Sequence, residues 1–296
     1  MTYEQTMEKL QMDLQLRRFS EGTITGYNYT LNRFLNSVDK SDTDNLDESD
    51  FRSYLYTLHQ TDLNARTINN YNSAIRFLYE VTLEKDINYK RVPYAKINTY
   101  QPTFFSPDEI LTLFDGISSA KHLAFYLNLY GSGLRISEML SLKTEDILKS
   151  KMLLRVRIGK GRKERFTPLT EAGYQAFRLY WKQYSPENSQ NYVFPDHTKT
   201  RPMSSQAFSS ALNKIAKKAD FHKPTHPHAF RHSFATHMLQ SGTEFIALKE
   251  MLGHGSVTST ALYLHLSLVD KSNNRSPSAV CAQIKARYDK RMNIRG

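Results

Sequence analysis

The chain has 296 residues, 40% hydrophobic and 12% aromatic, with 40 Lys and Arg against 29 Asp and Glu and a formal net charge of +11. That length suits two domains with real cores rather than one. The single Cys281 excludes an internal disulfide and a cysteine-rich zinc module. No apolar run approaches the roughly 18 residues of a membrane span, and the N-terminus lacks a basic start followed by an apolar stretch, so the reading is a soluble, cytoplasmic protein. The charge is uneven: residues 1–100 hold 12 Lys and Arg against 14 Asp and Glu, whereas residues 101–296 hold 28 against 15. A basic C-terminal two-thirds fits a polyanionic partner, because Lys and Arg that neutralise phosphates release counterions.

Residues 1–83 predict four helices and a bundle. Tyr3 to Phe19 carries Met7, Leu10, Leu14 and Leu16 at helical spacing, with Gly22 as an interruption. Thr23 to Val38 follows through Ile24, Tyr27, Leu31 and Phe34, and an acidic loop from Asp39 to Asp50 supplies an aspartate cap for a third helix near 49–60. Ala65 to Leu83 gives the fourth, through Ile68, Tyr71, Ile75 and Leu78. Residues 84–103 place Lys85, Lys90, Arg91 and Lys96 among prolines and read as an interdomain linker.

The second half opens on a sharp helix start, Ser106-Pro107-Asp108-Glu109, with serine as cap and proline in the first turn. Between 120 and 148 a helix runs into Gly131-Ser132-Gly133, then G-L-R-I-S-E begins another. The glycines permit a tight turn, which sets Arg135 at a helix N-terminus, where anions are favoured. Met152 to Ile158 and Arg165 to Leu169 read as strands of a hairpin turning through Gly159-Lys160-Gly161. The P-loop reading of that turn fails, because G-x-x-x-x-G-K-[ST] is absent. Helices are expected over 172–184 and 204–219.

From His226 the sequence reads H-P-H-A-F-R-H-S-F-A-T-H-M-L-Q-S-G, with Phe230, Phe234 and Met238 at i, i+4 and i+8. His228 and Arg231, three apart, then share a helical face, and arginine's planar fork suits phosphate oxygens. A helix over 243–252 leads to Gly253-His254, and nine residues on stands Tyr263, the only tyrosine between Tyr192 and Tyr288. Pro277 starts a final helix with Val280, Ile284 and Tyr288 as its apolar positions.

H-A-F-R-H-S-F-A-T-H, L-G-H and the distant tyrosine resemble the C-terminal motif of the tyrosine recombinases, the phage-integrase and Xer-like family. G-S-G-L-R-I-S-E resembles the family's first catalytic-arginine motif, and the hairpin resembles the one on which the family carries its lysine. The resemblance implies a mainly α fold with a small β-hairpin or sheet, divided into an N-terminal SAM-like core-binding bundle (1–83), a linker (84–103), an α+β catalytic domain (104–270) and a basic tail (271–296) with a protomer-swapping helix. It implies catalytic roles for Arg135, Lys160, His228, Arg231 and His254, with Tyr263 as nucleophile, and Glu138 behind Arg135. It implies a site-specific recombinase of the nucleoid, joined to DNA through a 3′-phosphotyrosyl bond and needing no metal or other cofactor. Its partner would be double-stranded DNA with paired recombination sites, its assembly a homotetramer, with room for accessory DNA-bending proteins.

Each residue also has a plainer reading. Arg135 alone is as well explained by an ion pair with Glu138 or Glu145 as by a phosphate, Lys160 alone is an exposed turn lysine, and Tyr263 alone a half-buried core residue. His232 and His237 read as packing groups or as supports behind the site. His228 and His232 suit a metal pair by spacing, but H-E-x-x-H is missing. The order of the whole set carries the catalytic reading. Two rival readings stand beside it: a type IB topoisomerase-like nicking and religating enzyme, which would share the chemistry, and a non-catalytic DNA-binding accessory protein of the same fold.

Overall fold

A computed structural model of the chain describes residues 1–38, 40, 42–97, 103–157, 164–186, 190–253, 260, 261, 263 and 275–294. The chain divides into two compact units, Met1–Tyr100 and Gln101–Gly296. Among the described residues no helix is long and apolar enough to cross a membrane.

Among its described residues the first unit has helices and no strand. Helix α1 (Tyr3–Leu16) starts on Thr2, whose hydroxyl meets the Gln5 amide while Gln5 reaches back, the reciprocal arrangement that satisfies otherwise orphaned N–H groups. Ser20 caps α2 (Glu21–Leu35), so Gly22 lies inside the second helix rather than interrupting the chain before it. Asp47 caps α3 (Glu48–His59), accepting from the amides of Ser49 and Asp50. Asn64 caps α4 (Ala65–Phe77), which widens into a π-helical turn at Leu78–Thr82. Leu10, Leu14, Leu31, Phe34, Phe51, Ile75 and Leu78 form the core, with the Tyr79 hydroxyl donating to the Asp47 carbonyl at 2.7 Å.

Beyond the bundle, the segment expected as a linker is bound to α4 for much of its length. The Arg76 guanidinium lies between the rings of Tyr89 and Tyr94, 4.4 and 4.3 Å from their centroids, and donates to the Val92 carbonyl at 2.6 Å. Asn69 pairs with the backbone of Ala95 through both ends of its amide. The unit boundary falls at Tyr100 and Gln101, inside the expected 84–103.

In the second unit, Ser106 and Glu109 form the capping box that starts α5 (Pro107–Asp115). Helix α6 (Ala120–Ser132) is buried along nearly its whole length and contacts α8 (Glu171–Tyr184), α10 (Pro227–Gln240) and α12 (Pro277–Arg291). A helix apolar on all sides belongs in such a place. Between α6 and α8 lie the short α7 (Ile136–Leu140) and a three-stranded antiparallel sheet, β1 (Ile147–Leu148), β2 (Leu153–Val156) and β3 (Arg165–Pro168), in that order. Strands β2 and β3 match the expected hairpin, with Leu154 opposite Thr167 and Val156 opposite Arg165. Helix α9 (Ser205–Lys218) and α11 (Phe245–Leu252) complete the described set.

The expected tail contains α12, a helix of this unit's own core. Val280, Cys281, Ile284 and Tyr288 are buried, the Tyr288 hydroxyl donates to Ser118 O, and Arg291 donates to the carbonyls of Phe114 and Ile117. Arg287 pairs with Asp115 at 3.0 Å. Part of the tail's basic charge is therefore spent on α5 and the turn after it.

Candidate active site

The site begins at the end of α6. Gly133 has φ +62° and closes that helix in the left-handed region; a Cβ there would come within 2.3 Å of the Phe234 ring on α10. Glycine is needed twice over, for backbone and for contact. The turn leaves Arg135 as the cap residue of α7, and brings the Gly133 carbonyl to Arg231 of α10, whose Nη1 donates to it at 2.7 Å. Arg231 Nη2 donates to Leu252 O at 2.6 Å, at the end of α11.

Glu138 is the carboxylate hub. It accepts from the Arg135 amide and Nη1, both at 2.8 Å, from Arg165 Nη1 and Nη2 at 2.9 and 2.8 Å, and lies 3.8 Å from Arg231 Nη1. Burial alone would raise its pKa, but the bonds from Arg165 and Arg135 outweigh burial and hold it down to about 2. Arg165 also donates through Nε to Met251 O at 2.8 Å, with its stem against Gly253, where a Cβ would meet Arg165 Cδ at 2.8 Å. Three guanidiniums around one carboxylate leave an excess of positive charge. Burial, then Arg135 and Arg165, bring Arg231 down to about 9, so it still carries its proton at neutral pH.

Helix α10 starts at Pro227 because His226 caps it, Nδ1 accepting from the Ala229 amide at 3.2 Å. His228, one turn above Arg231's position on the same face, reaches solvent; partial burial of its ring, then Arg231, His226 and Arg135, hold its pKa below the usual value. His232 Nδ1 lies 2.9 Å from Tyr263 Oη, and Tyr263 itself is only 2% exposed. Burial, with His228 and His226, pushes His232 down to about 4. Burial pushes the Tyr263 phenol up, opposed by Arg231 and Arg135. His237 is engaged elsewhere, 2.8 Å from the Tyr130 hydroxyl in the core.

Arg135, His228, Arg231 and Tyr263, singled out in the sequence, are thus gathered by the end of α6, α7, α10 and the helical residues 260, 261 and 263. Lys160 and His254 lie outside the described residues. Two further residues of the cluster were not among the expected catalytic set, His232 having been read as a packing group or a support behind the site. Arg165 had no local signal, since its partners are 27 and 86 positions away. His232 was visible as the residue after Arg231, but its partner stands 31 positions on. Among the described residues no group of three His, Cys, Asp or Glu is placed to hold a metal ion.

The Tyr263 hydroxyl thus lies against the His232 ring, near the buried Arg231 and the partly exposed Arg135. Comparisons with known proteins identify the family. The phage integrase family matches residues 103–268, and the phage integrase N-terminal SAM-like domain matches residues 6–89. A putative integrase/recombinase of Sinorhizobium fredii, y4qK, is 32% identical over 262 residues, covering 88% of this chain and 84% of that protein. Tyrosine recombinase XerC of Staphylococcus epidermidis is 30% identical over 263 residues, covering 85% and 88%. Two solved structures share the fold: the Tn1549 transposon integrase with transposon right end DNA (TM-score 0.68, 22% identity, 89% of this chain and 94% of that one) and a lambda integrase dimer bound to a COC′ core site (TM-score 0.70, 15% identity, 93% and 98%). The chain therefore belongs to the phage integrase family of tyrosine recombinases, enzymes that cleave and rejoin DNA.

Proposed function

We propose that this enzyme is a site-specific recombinase that exchanges duplex DNA strands through a 3′-phosphotyrosyl intermediate on Tyr263. The observation that carries the reading is the buried Tyr263 phenol, bonded to His232 at 2.9 Å and close enough to Arg231 and Arg135 for both to favour its ionisation. A phenol with a pKa near ~10 is almost wholly protonated at neutral pH, so it needs alignment and charge to act. In-line attack on a phosphodiester concentrates negative charge on the nonbridging oxygens, where Arg135 and Arg231 supply fixed donors. His254 adds a donor to the phosphate, His228 assists as acid or base in proton transfer, and Lys160 protonates the leaving 5′ oxygen. The covalent product conserves the bond energy until a second strand's 5′ hydroxyl attacks.

Double-stranded DNA is the partner this scheme requires, and the excess of Lys and Arg in residues 101–296 suits its backbone. Exchange between two duplexes calls for paired sites and four protomers. Integration, excision, transposition and dimer resolution then differ in which sites are paired. The test is to express the wild type and Tyr263→Phe in cells, denature rapidly and sequence the DNA carried with the protein. Adducts in the wild type alone, at a few inverted-repeat sites, are the expected result. Adducts scattered along the chromosome would contradict site specificity and favour nicking and religation.

A further inference from the structure

The phenol proton needs an acceptor, and the geometry of α10 selects one. Tyr263 is buried, so its hydroxyl cannot pass a proton straight to bulk water. Its oxygen lies 2.9 Å from His232 Nδ1, within the distance over which a general base acts. The other histidines of the cluster are placed differently. His226 Nδ1 accepts from the Ala229 amide at the helix start, and His237 Nδ1 is joined to Tyr130. His228 reaches solvent and has no side-chain hydrogen bond among the described residues.

We propose that His232 is a catalytic residue of strand cleavage, its Nδ1 taking the proton of Tyr263 as the phenol attacks; this rests on the reading of Tyr263 as nucleophile. The Tyr263 Oη–phosphorus bond forms while the phosphorus–O5′ bond breaks. The phenol proton passes to Nδ1, leaving the imidazole protonated on both nitrogens, and the leaving 5′ oxygen takes a proton from the general acid. When a 5′ hydroxyl attacks the phosphotyrosine, its own proton restores that acid, and the proton on Nδ1 returns to Tyr263. The resting imidazole is neutral because burial and the nearby His228, His226 and Arg231 oppose its charging. A neutral ring with Nδ1 unprotonated is the tautomer that accepts from the phenol. The entering DNA phosphate offsets those cations and makes the ring a better base at the moment it is needed.

The test uses the full-length enzyme and a nicked duplex containing its captured target, with single-turnover formation of the covalent adduct as readout. His232→Asn keeps a polar side chain able to accept from the phenol but unable to carry its proton away. The expected result is unchanged DNA affinity and a cleavage rate lower by about 10²- to 10⁴-fold. Placing a fluorinated tyrosine, with a more acidic phenol, at position 263 of the Asn variant should restore part of that rate, which a purely structural role would not allow. Should the Asn variant fail to bind DNA, His232→Gln takes its place. Cleavage near the wild-type rate, or a defect indifferent to phenol acidity, would overturn the assignment. A wild type that forms no adduct would instead remove Tyr263 as nucleophile, and the assignment with it.

Discussion

Arg231 donates from Nη1 to the carbonyl of Gly133 at 2.7 Å, across 98 positions of sequence. That bond ties α10, which carries His228 and His232, to the turn that presents Arg135. The same turn is pressed by the Phe234 ring, so backbone shape, packing and a buried charge all fix one another at a single point.

Replacing Gly133 with Ala should therefore be costly. A side chain in the left-handed region costs about 1–2 kcal/mol, and displacing the Phe234 ring adds about 1–3 kcal/mol of overpacking. Gly26, inside α2, has no atom within 4 Å of a Cβ placed there, and Gly26→Ala should stabilise by about 0.5–1 kcal/mol. Chemical denaturation of the two variants beside the wild type checks both signs.

The two arginines should fail in different ways. Arg135 is partly exposed and held by Glu138, so Arg135→Ala should leave folding near normal while removing about 3 kcal/mol of transition-state stabilisation. Arg231 is buried and serves the carbonyls of Gly133 and Leu252; Arg231→Ala strands both and should cost about 2–5 kcal/mol of stability as well as activity. Parallel unfolding and cleavage measurements separate the cases. Near-normal cleavage by Arg135→Ala would assign that side chain to structure alone.

Glu138 makes the second unit acid-sensitive in a defined window. Its folded pKa lies at about 2, below the ordinary value of 4.5. Because the shift is downward, its contribution is fully present above pH 4.5 and is lost as the pH falls toward 2. Glu138→Gln should cost on the order of 3 kcal/mol at neutral pH, since it leaves Arg135, Arg165 and Arg231 without their anion. It should also flatten the fall in stability between those pH values. A variant with the wild-type acid profile would show that another carboxylate controls it.

Much of this was legible in the sequence because it is local. The Phe230 and Phe234 stripe, the caps at Ser106 and Asp47, the glycine turn before Arg135 and the apolar positions of α12 all depend on neighbours within a few residues. Long-range choices were not legible. Nothing near Asn88 to Ala95 signals that Arg76 and Asn69 will hold it, and nothing around Arg165 signals a bond to Met251. At Ser20 two local cues competed: the cap set the start of α2, overriding the break suggested by Gly22. His232 shows the limit most plainly, since its position beside Arg231 was visible while the hydroxyl it meets was set by a separate segment.

The most direct test of the account is to form the covalent complex on a nicked target duplex, digest protein and DNA, and identify by mass spectrometry the amino acid that bears the nucleotide. The account predicts one modified peptide, with the 3′-phosphate esterified to Tyr263. Attachment to any other residue, or through a 5′-phosphate, would contradict it.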